Sequence, residues 1–238
     1  MFSLAPAPGS LPSGLRIYAI GDVHGCIAQL EDLHAQIAAD LAARPVAEAR
    51  LIHLGDYIDR GADSAAVIFR LAGGPPVAGL PTINLTGNHE QMMLTALATL
   101  DPDDIALWLA NGGGETLGSW GIAPERPAAE WSASIAPEHL KFLRDLDVMH
   151  RAGGYLFVHA GIRPGVPLEQ QSPHDLLWIR QVFLACEDDL GMVVVHGHTP
   201  AAAPLIRRNR IGIDTGAYFG GALTCAVLEE DRVGFLQA

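Results

Sequence analysis

Short apolar runs that break at glycine recur along this chain. Leu51-Ile52-His53-Leu54 stops at Gly55, the pattern of a strand buried in a parallel sheet. Leu15 to Ile20 ends the same way at Gly21. Pro81 to Leu85 runs into Thr86-Gly87, Gly153 to Val158 into His159-Ala160-Gly161, and Met192 to Val195 into His196-Gly197. Ile211 to Ile213 and Ala222 to Leu228 read as further strands. After each of the first three strands the apolar period lengthens to that of a helix. Ile27, Leu30, Leu33, Ile37 and Leu41 place one over Cys26 to Ala43. Ser64 to Ala72 is a second, closed by Gly73-Gly74-Pro75-Pro76, and Gln91 to Leu100 is a third.

Residues 101–150 break this rhythm. They hold an Asp-Pro pair, a Gly112-Gly113-Gly114 run, Pro124, Pro127 and helical pieces rich in Trp and Leu. We read them as a small helical cap inserted into one domain spanning 15–238. Asp175 to Leu184 is expected to form a short helix. Residues 1–14, rich in Pro, Gly and Ser, are expected to be a flexible tail. The repeated unit of strand, glycine and polar loop predicts a layered α/β architecture whose functional loops share one edge.

Composition narrows the classes. The chain has 238 residues, 49% hydrophobic, with 26 glycines, enough for a full core. Its formal net charge of −12 argues against nucleic acid or an anionic membrane as partner. Cys26, Cys186 and Cys225 form no CxxC pair, and an odd count suits reduced, intracellular thiols. The N-terminus has no basic region followed by an apolar stretch, and no apolar run reaches the length of a membrane span. A soluble cytoplasmic protein is expected.

The chemistry sits where the strands end. Gly55 is followed by Asp56 and Asp59, with Arg60 and Gly61 behind them. Two acids and a base in one tight loop are costly unless a metal ion compensates them. Five loops offer metal-ligand types: Asp22 and His24, then Asp56, then Asn88, then His159, then His196 or His198. Oxygen and imidazole without thiolate suits Mn, Fe or Zn. Six ligands exceed the need of one ion that keeps open positions, and they suit two ions sharing Asp56. Such a pair activates water and clamps the attacking and leaving oxygens of phosphoryl transfer. Each residue also has an ordinary reading: loop aspartates cap helices, Asn88 forms turns, Glu90 is a first-turn helix acid, and His159 is a buried rim histidine.

GDVHG at 21–25, GDYIDRG at 55–61 and GNHE at 87–90, in that order, resemble the signature of the calcineurin-like metallophosphoesterases. Within that family the chain is most similar to the phosphoprotein phosphatase branch and its bacterial relatives, which include the symmetrical diadenosine tetraphosphatases. The likeness is close from Ile17 to Glu90 and thinner through HAG at 159–161 and GHTP at 197–200. It implies a β-sandwich of mixed sheets flanked by helices, with a dinuclear metal site on the loop edge. It implies that Asp22, His24 and Asp56 hold one divalent ion and that Asp56, Asn88, His159 and His198 hold the other, with Mn²⁺ favoured over Fe or Zn. His89 resembles the family's general acid, Asp59 its orienting partner and Arg60 a phosphate-binding arginine. His196 then reads as a buried neighbour of the site. Arg180, Arg163 and Tyr218 are weaker candidates to bind substrate, and the NGGG run at 111–114 is either a phosphate cradle or a plain turn.

The implied activity is metal-dependent hydrolysis of phosphomonoesters, with phosphoserine and phosphothreonine in proteins as candidate substrates. Symmetrical cleavage of diadenosine tetraphosphate is the alternative, and a catalytically dead metal-binding scaffold is a third. The expected partner is a phosphorylated small molecule or phosphoprotein. Eukaryotic relatives carry HGG where this chain has HAG, and longer C-terminal segments that bind regulatory subunits, so such a subunit is not expected here.

Overall fold

The computed structural model describes residues 3–238. Its strands are β1 (Ala5–Pro6), β2 (Leu15–Ile20), β3 (Glu48–His53), β4 (Thr82–Asn84), β5 (Met149–Ala152), β6 (Tyr155–Val158), β7 (Val193–His196), β8 (Leu205–Arg207), β9 (Arg210–Gly212), β10 (Thr224–Glu229) and β11 (Arg232–Gln237). They form two mixed sheets, ordered β1-β11-β10-β2-β3-β4 and β5-β6-β7-β9-β8. In the first, β2, β3 and β4 are parallel; in the second, β6, β7 and β9 are parallel.

The side-chain period of two sorts each strand between layers. Ile17, Ala19 and Ile52 face Tyr155, Phe157, Val195 and Ile211 across the two sheets. Tyr18, Ile20 and Leu51 turn outward to α1 (Ile27–Ala43), α2 (Ser64–Ala72) and α3 (Asn88–Thr99). Leu156, Val158 and Val194 turn outward on the other side. The result is the β-sandwich flanked by helices that the resemblance implies.

Residues 101–150 are mostly helical as far as Arg144: α4 (Pro102–Trp108), a kinked turn over Leu109–Gly113, α5 (Gly114–Ser119), two 3-10 turns and α6 (Pro137–Arg144). Trp108, Leu117, Trp131, Ile135, Leu140 and Leu143 are buried in the same core as α1–α3. The insertion is therefore a wall of the main domain. Its last two residues, 149 and 150, already belong to strand β5, because Met149 to Ala152 pair with Tyr155 to Val158 across a Gly153-Gly154 turn.

Two expectations need correction. Residues 3–14 are laid down along the first sheet, where β1 pairs with β11. Leu11 is buried, and backbone bonds run from Leu11 N–H to Glu230 O and from Gly154 N–H to Ser10 O. The segment's few apolar residues and free backbone groups are what hold it there. The helix expected over Asp175 to Leu184 is two, α7 (Pro173–Trp178) and α8 (Gln181–Leu184). Ile179 leaves helical geometry (ψ 139°) to enter the outer core, and Arg180 turns toward the strand ends.

Candidate metal centre

Asp22 and His24 follow β2, Asp56 follows β3, Asn88 and His89 open α3 after β4, His159 follows β6 and His198 follows β7. All six strand-end loops, counting that after β9, leave the same edge of the sandwich because their strands are parallel within each sheet. His24, Asp56, Asp59, Arg60 and His198 all have positive φ, a conformation that L residues avoid and that clusters where function demands it.

The loops bring together two ligand triplets that share one carboxylate. His24, Asp56 and His89 form one, and Asp56, His159 and His198 the other, with the ligand atoms of each within 4.8 Å of one another. His24 Nε2 and His159 Nε2 each lie 3.4 Å from Asp56 Oδ2. Asn88 Oδ1 lies 2.9 Å from His159 Nε2 and 2.8 Å from His198 Nδ1. The Asp22 carboxylate accepts the backbone N–H of His198 at 3.0 and 3.2 Å. Gly87 is required here, since a Cβ would land on the Asp56 carboxylate.

The electrostatics of the cluster fit divalent cations. Burial holds His24 and His198 neutral, with pKa values pulled down to about 3 and about 2, and a neutral imidazole is the ligand form. Burial, with Asp214 and Asp56 adding to it, pushes the Asp22 carboxyl well above the usual range. Burial opposes ionisation of Asp56 too, but His159 and His89 outweigh it and hold the group well below that range. Buried carboxylates and imidazoles thus converge. Burial lowers the pKa of His159, but Asp56 outweighs it and raises it to about 9, so this imidazole balances part of the carboxylate charge where a cation would bind. Asp22, His24 and Asp56 could hold one ion, and Asp56, Asn88, His159 and His198 a second.

His89 carries a different partner. Its Nδ1 lies 2.7 Å from Asp59 Oδ2, while its Nε2 faces Asp56 Oδ2 at 3.9 Å. Burial pulls its pKa down, yet Asp56 and Asp59 together raise it above the ordinary value. Arg60, half-buried, donates from Nη1 to Tyr218 Oη at 2.8 Å and to His24 Nε2 at 3.3 Å. Arg180 Nε donates to His198 Nε2 at 3.0 Å. Arg163 is elsewhere: its guanidinium pairs with Asp175 at 2.9 and 2.6 Å. His196 is buried outside the triplets, edge-on to Phe183.

Four residues were not legible as parts of the site. Glu90 is fully buried and accepts the backbone N–H groups of Asp56, Tyr57 and Gly87 at 2.8 Å. It pins the Asp56 loop to the start of α3. Asp214, after β9, sits beside Asp22 and accepts the N–H of Gly216 at 3.0 Å, tying down the turn that carries Tyr218. Trp108 and Thr116 reach Asp59 from the insertion. The position of Asp214 at a strand end and the place of Glu90 in GNHE carried a signal; Trp108 and Thr116 carried none.

Comparison with known proteins agrees with this geometry. The profile of the calcineurin-like phosphoesterase family matches residues 15–236. Serine/threonine-protein phosphatase 1 of Salmonella typhimurium is 30% identical over 220 residues, covering 90% of this chain and 92% of its own. A symmetrical bis(5'-nucleosyl)-tetraphosphatase of Methylococcus capsulatus is 31% identical over 150 residues, 63% of this chain; the chain spans only 44% of that protein's length. The crystal structure of a candidate diadenosine tetraphosphatase superposes with a TM-score of 0.65 at 21% identity, covering 97% of this chain and 98% of its own. At that identity it shows the fold alone.

Proposed function

The chain belongs to the calcineurin-like phosphoesterase family, and on that premise we propose that it is a metal-dependent phosphomonoesterase whose substrates include phosphoserine and phosphothreonine side chains of proteins. The observation that carries the reading is the His89–Asp59 pair. It sets a proton-bearing imidazole at the edge of a metal-ligand cluster, with the Arg60 guanidinium across from it.

The residues named above would hold two divalent ions, and we favour manganese. When bound, such a pair supplies Lewis acidity and a nucleophile at neutral pH. The chain's own groups do the rest. Arg60, steadied by Tyr218, offers two donors to the phosphoryl oxygens, and Arg180 offers more from the rim. His89 gives a proton to the leaving oxygen, and Asp59 fixes its tautomer so that Nε2 is the atom that delivers it.

The preference for phosphomonoesters is supported by the extent of the likeness. The protein phosphatase relative matches over nearly its whole length, the tetraphosphatase relative over less than half. We also propose a cytoplasmic enzyme that works without a regulatory subunit on phosphoproteins or small phosphates and takes neither nucleic acid nor a membrane as partner. Free Cys26, Cys186 and Cys225 suit a reducing compartment. No described helix is long and apolar enough to cross a membrane.

The test sets an aryl phosphate, a phosphoserine peptide and diadenosine tetraphosphate side by side, with Mn²⁺-loaded wild type and His89→Ala. The peptide should turn over, and His89→Ala should lose ~10²–10⁴-fold on it, the usual worth of a general acid. Strong preference for the dinucleotide would replace the substrate and keep the machinery. Bound metal without turnover of any of the three would make the protein a metal-binding scaffold.

A further inference from the structure

Asp59 and Arg60 are consecutive non-glycine residues in left-handed backbone, φ 68° and 69°. Such a pair is strained and persists only where its surroundings over-determine it. Most of those surroundings come from one segment, residues 102–119. The Asp59 N–H is shared between Thr116 Oγ1 at 2.8 Å and Ser64 Oγ at 3.1 Å. The Arg60 N–H points to Gly112 O at 3.4 Å.

The Asp59 side chain is held from the same segment. Its carboxylate is wholly shielded from solvent. Thr116 Oγ1–H donates to Oδ1 at 2.6 Å, and the Trp108 indole N–H is shared between both oxygens at 3.0 and 3.1 Å. The remaining direction, on Oδ2, is taken by His89 Nδ1 at 2.7 Å. Two of the three side-chain donors to this carboxylate therefore belong to the insertion.

The NGGG run explains how the segment comes so close. Gly112 has φ +102°, and a Cβ there would stand 2.6 Å from Arg60 N; a Cβ on Gly113 would stand 2.7 Å from the Trp108 ring. The kink at Gly112, between α4 and α5, lays bare backbone against Arg60 and the Trp108 ring.

We propose that Trp108 and Thr116 are positioning residues for the proton-donating imidazole. They lock the Asp59 carboxylate in one orientation, so that His89 keeps its proton-bearing Nε2 aimed at the leaving oxygen, while Gly112 anchors Arg60 in register. The proposal rests on the assignment of His89 as general acid made above. The plain competing role is packing. Trp108 is fully buried and meets Trp131 edge-on at 5.9 Å. A packing role lowers stability, and whatever it does to activity it does equally for every substrate.

Leaving-group basicity separates the two. A general acid matters for a poor leaving group and little for a good one. The experiment uses Thr116→Val, Thr116→Ser, Trp108→Phe and His89→Ala in the full, Mn²⁺-loaded chain. It measures kcat and KM on aryl phosphates of graded leaving-group basicity and on an alkyl phosphate, together with bound metal and melting temperature. Thr116→Val and Trp108→Phe should lose ~10-fold or more in kcat on the alkyl ester and far less on p-nitrophenyl phosphate. KM and metal content should hold, and Thr116→Ser should restore the wild-type slope. Equal losses on every ester, or a shift in melting alone, would overturn the positioning role. If His89→Ala shows a steep slope and Thr116→Val a flat one, this inference fails by itself. If His89→Ala is also flat, the general-acid assignment fails and takes the inference with it. Should Trp108→Phe prove too unstable to assay, the Thr116 pair decides the matter.

Discussion

Two buried polar regions lie at opposite ends of strand β2, and they are built on opposite rules. At its start, Arg16 is 2% exposed and clamps Glu229 through Nε and Nη2 at 2.9 and 3.1 Å. Its Nη1 meets Arg44 O at 2.6 Å and Tyr18 Oη at 3.2 Å. Tyr18 donates to Asp40 at 2.5 Å, and Arg44 grips the same carboxylate with Nε and Nη2 at 2.8 and 2.7 Å. Two arginines face two carboxylates, and none of these residues has positive φ. At the end of β2, Asp22, Asp56 and Asp214 gather around imidazoles, with arginines only at the edge and left-handed backbone at His24, Asp56 and His198. The first region completes itself within the chain. The second sets its carboxylates against buried imidazoles that are also cation-ligand types, so that divalent ions from outside would complete it, and left-handed backbone holds that arrangement in place.

The strongest way to break this contrast is Asp56→Asn. Asp56 belongs to both ligand triplets, so its loss should weaken both ions at once, where losing His24 or His198 weakens one. We expect activity on every phosphoester to fall by several orders of magnitude and metal content to drop below one ion per chain, measured by elemental analysis after dialysis. A variant that still holds two ions would show that Asp56 is not the bridge.

Next in size is Arg16→Met at the other end. It keeps the stem and removes the buried guanidinium, leaving Glu229 and Tyr18 short of a partner. Breaking a buried pair costs roughly 3–5 kcal/mol, and the lower figure suits this site because Glu229 is 26% exposed. At about 2–4 °C per kcal/mol for a chain of this size, the melting temperature should fall by roughly 6–12 °C. Metal content should be unchanged. Loss of metal at temperatures where the variant is folded would mean that the two regions are coupled along β2.

How much of this was open to reading follows the same division. Candidate ligands in strand-end loops could be picked out, because Gly-Asp and Gly-Asn after an apolar run is a local signal. Groups that complete a site from a distance did not. Trp108 and Thr116 stand 49 and 57 positions from Asp59, and in sequence Trp108 reads as core, which it also is. Glu90 reads as a first-turn helix acid; what is hidden is that it also pins the Asp56 loop. Edge strands were missed because their pattern is weak: β5 carries His150 and Arg151, and β8 is three residues long. The break at Ile179 was hidden because LLWI keeps helical spacing while the chain there serves two layers.

The smallest effect sharpens the contrast by its sign. In the complete region the Asp40 carboxyl is held below its ordinary pKa; burial works against it, but the bonds from Arg44 and Tyr18 win. A depressed carboxylate contributes stability above its unfolded pKa, near 4, and that contribution is lost as pH falls through the folded value. Asp40→Asn should therefore lower the melting temperature at neutral pH, and its deficit should shrink on acidification. In the incomplete region Asp22 is pushed the other way, by burial and then by Asp214. Its folded state favours the neutral form, so the metal-free protein loses stability as pH rises through the raised value. Asp22→Asn mimics that neutral form. It should raise the melting temperature of the metal-free protein at neutral pH while weakening metal binding. Both shifts should be smaller than that of Arg16→Met, and paired thermal melts in chelator at neutral and acidic pH read them. Two variants that move the same way would mean the Asp22 region is already balanced by its own chain, and the case for an imported cation would lose its electrostatic ground.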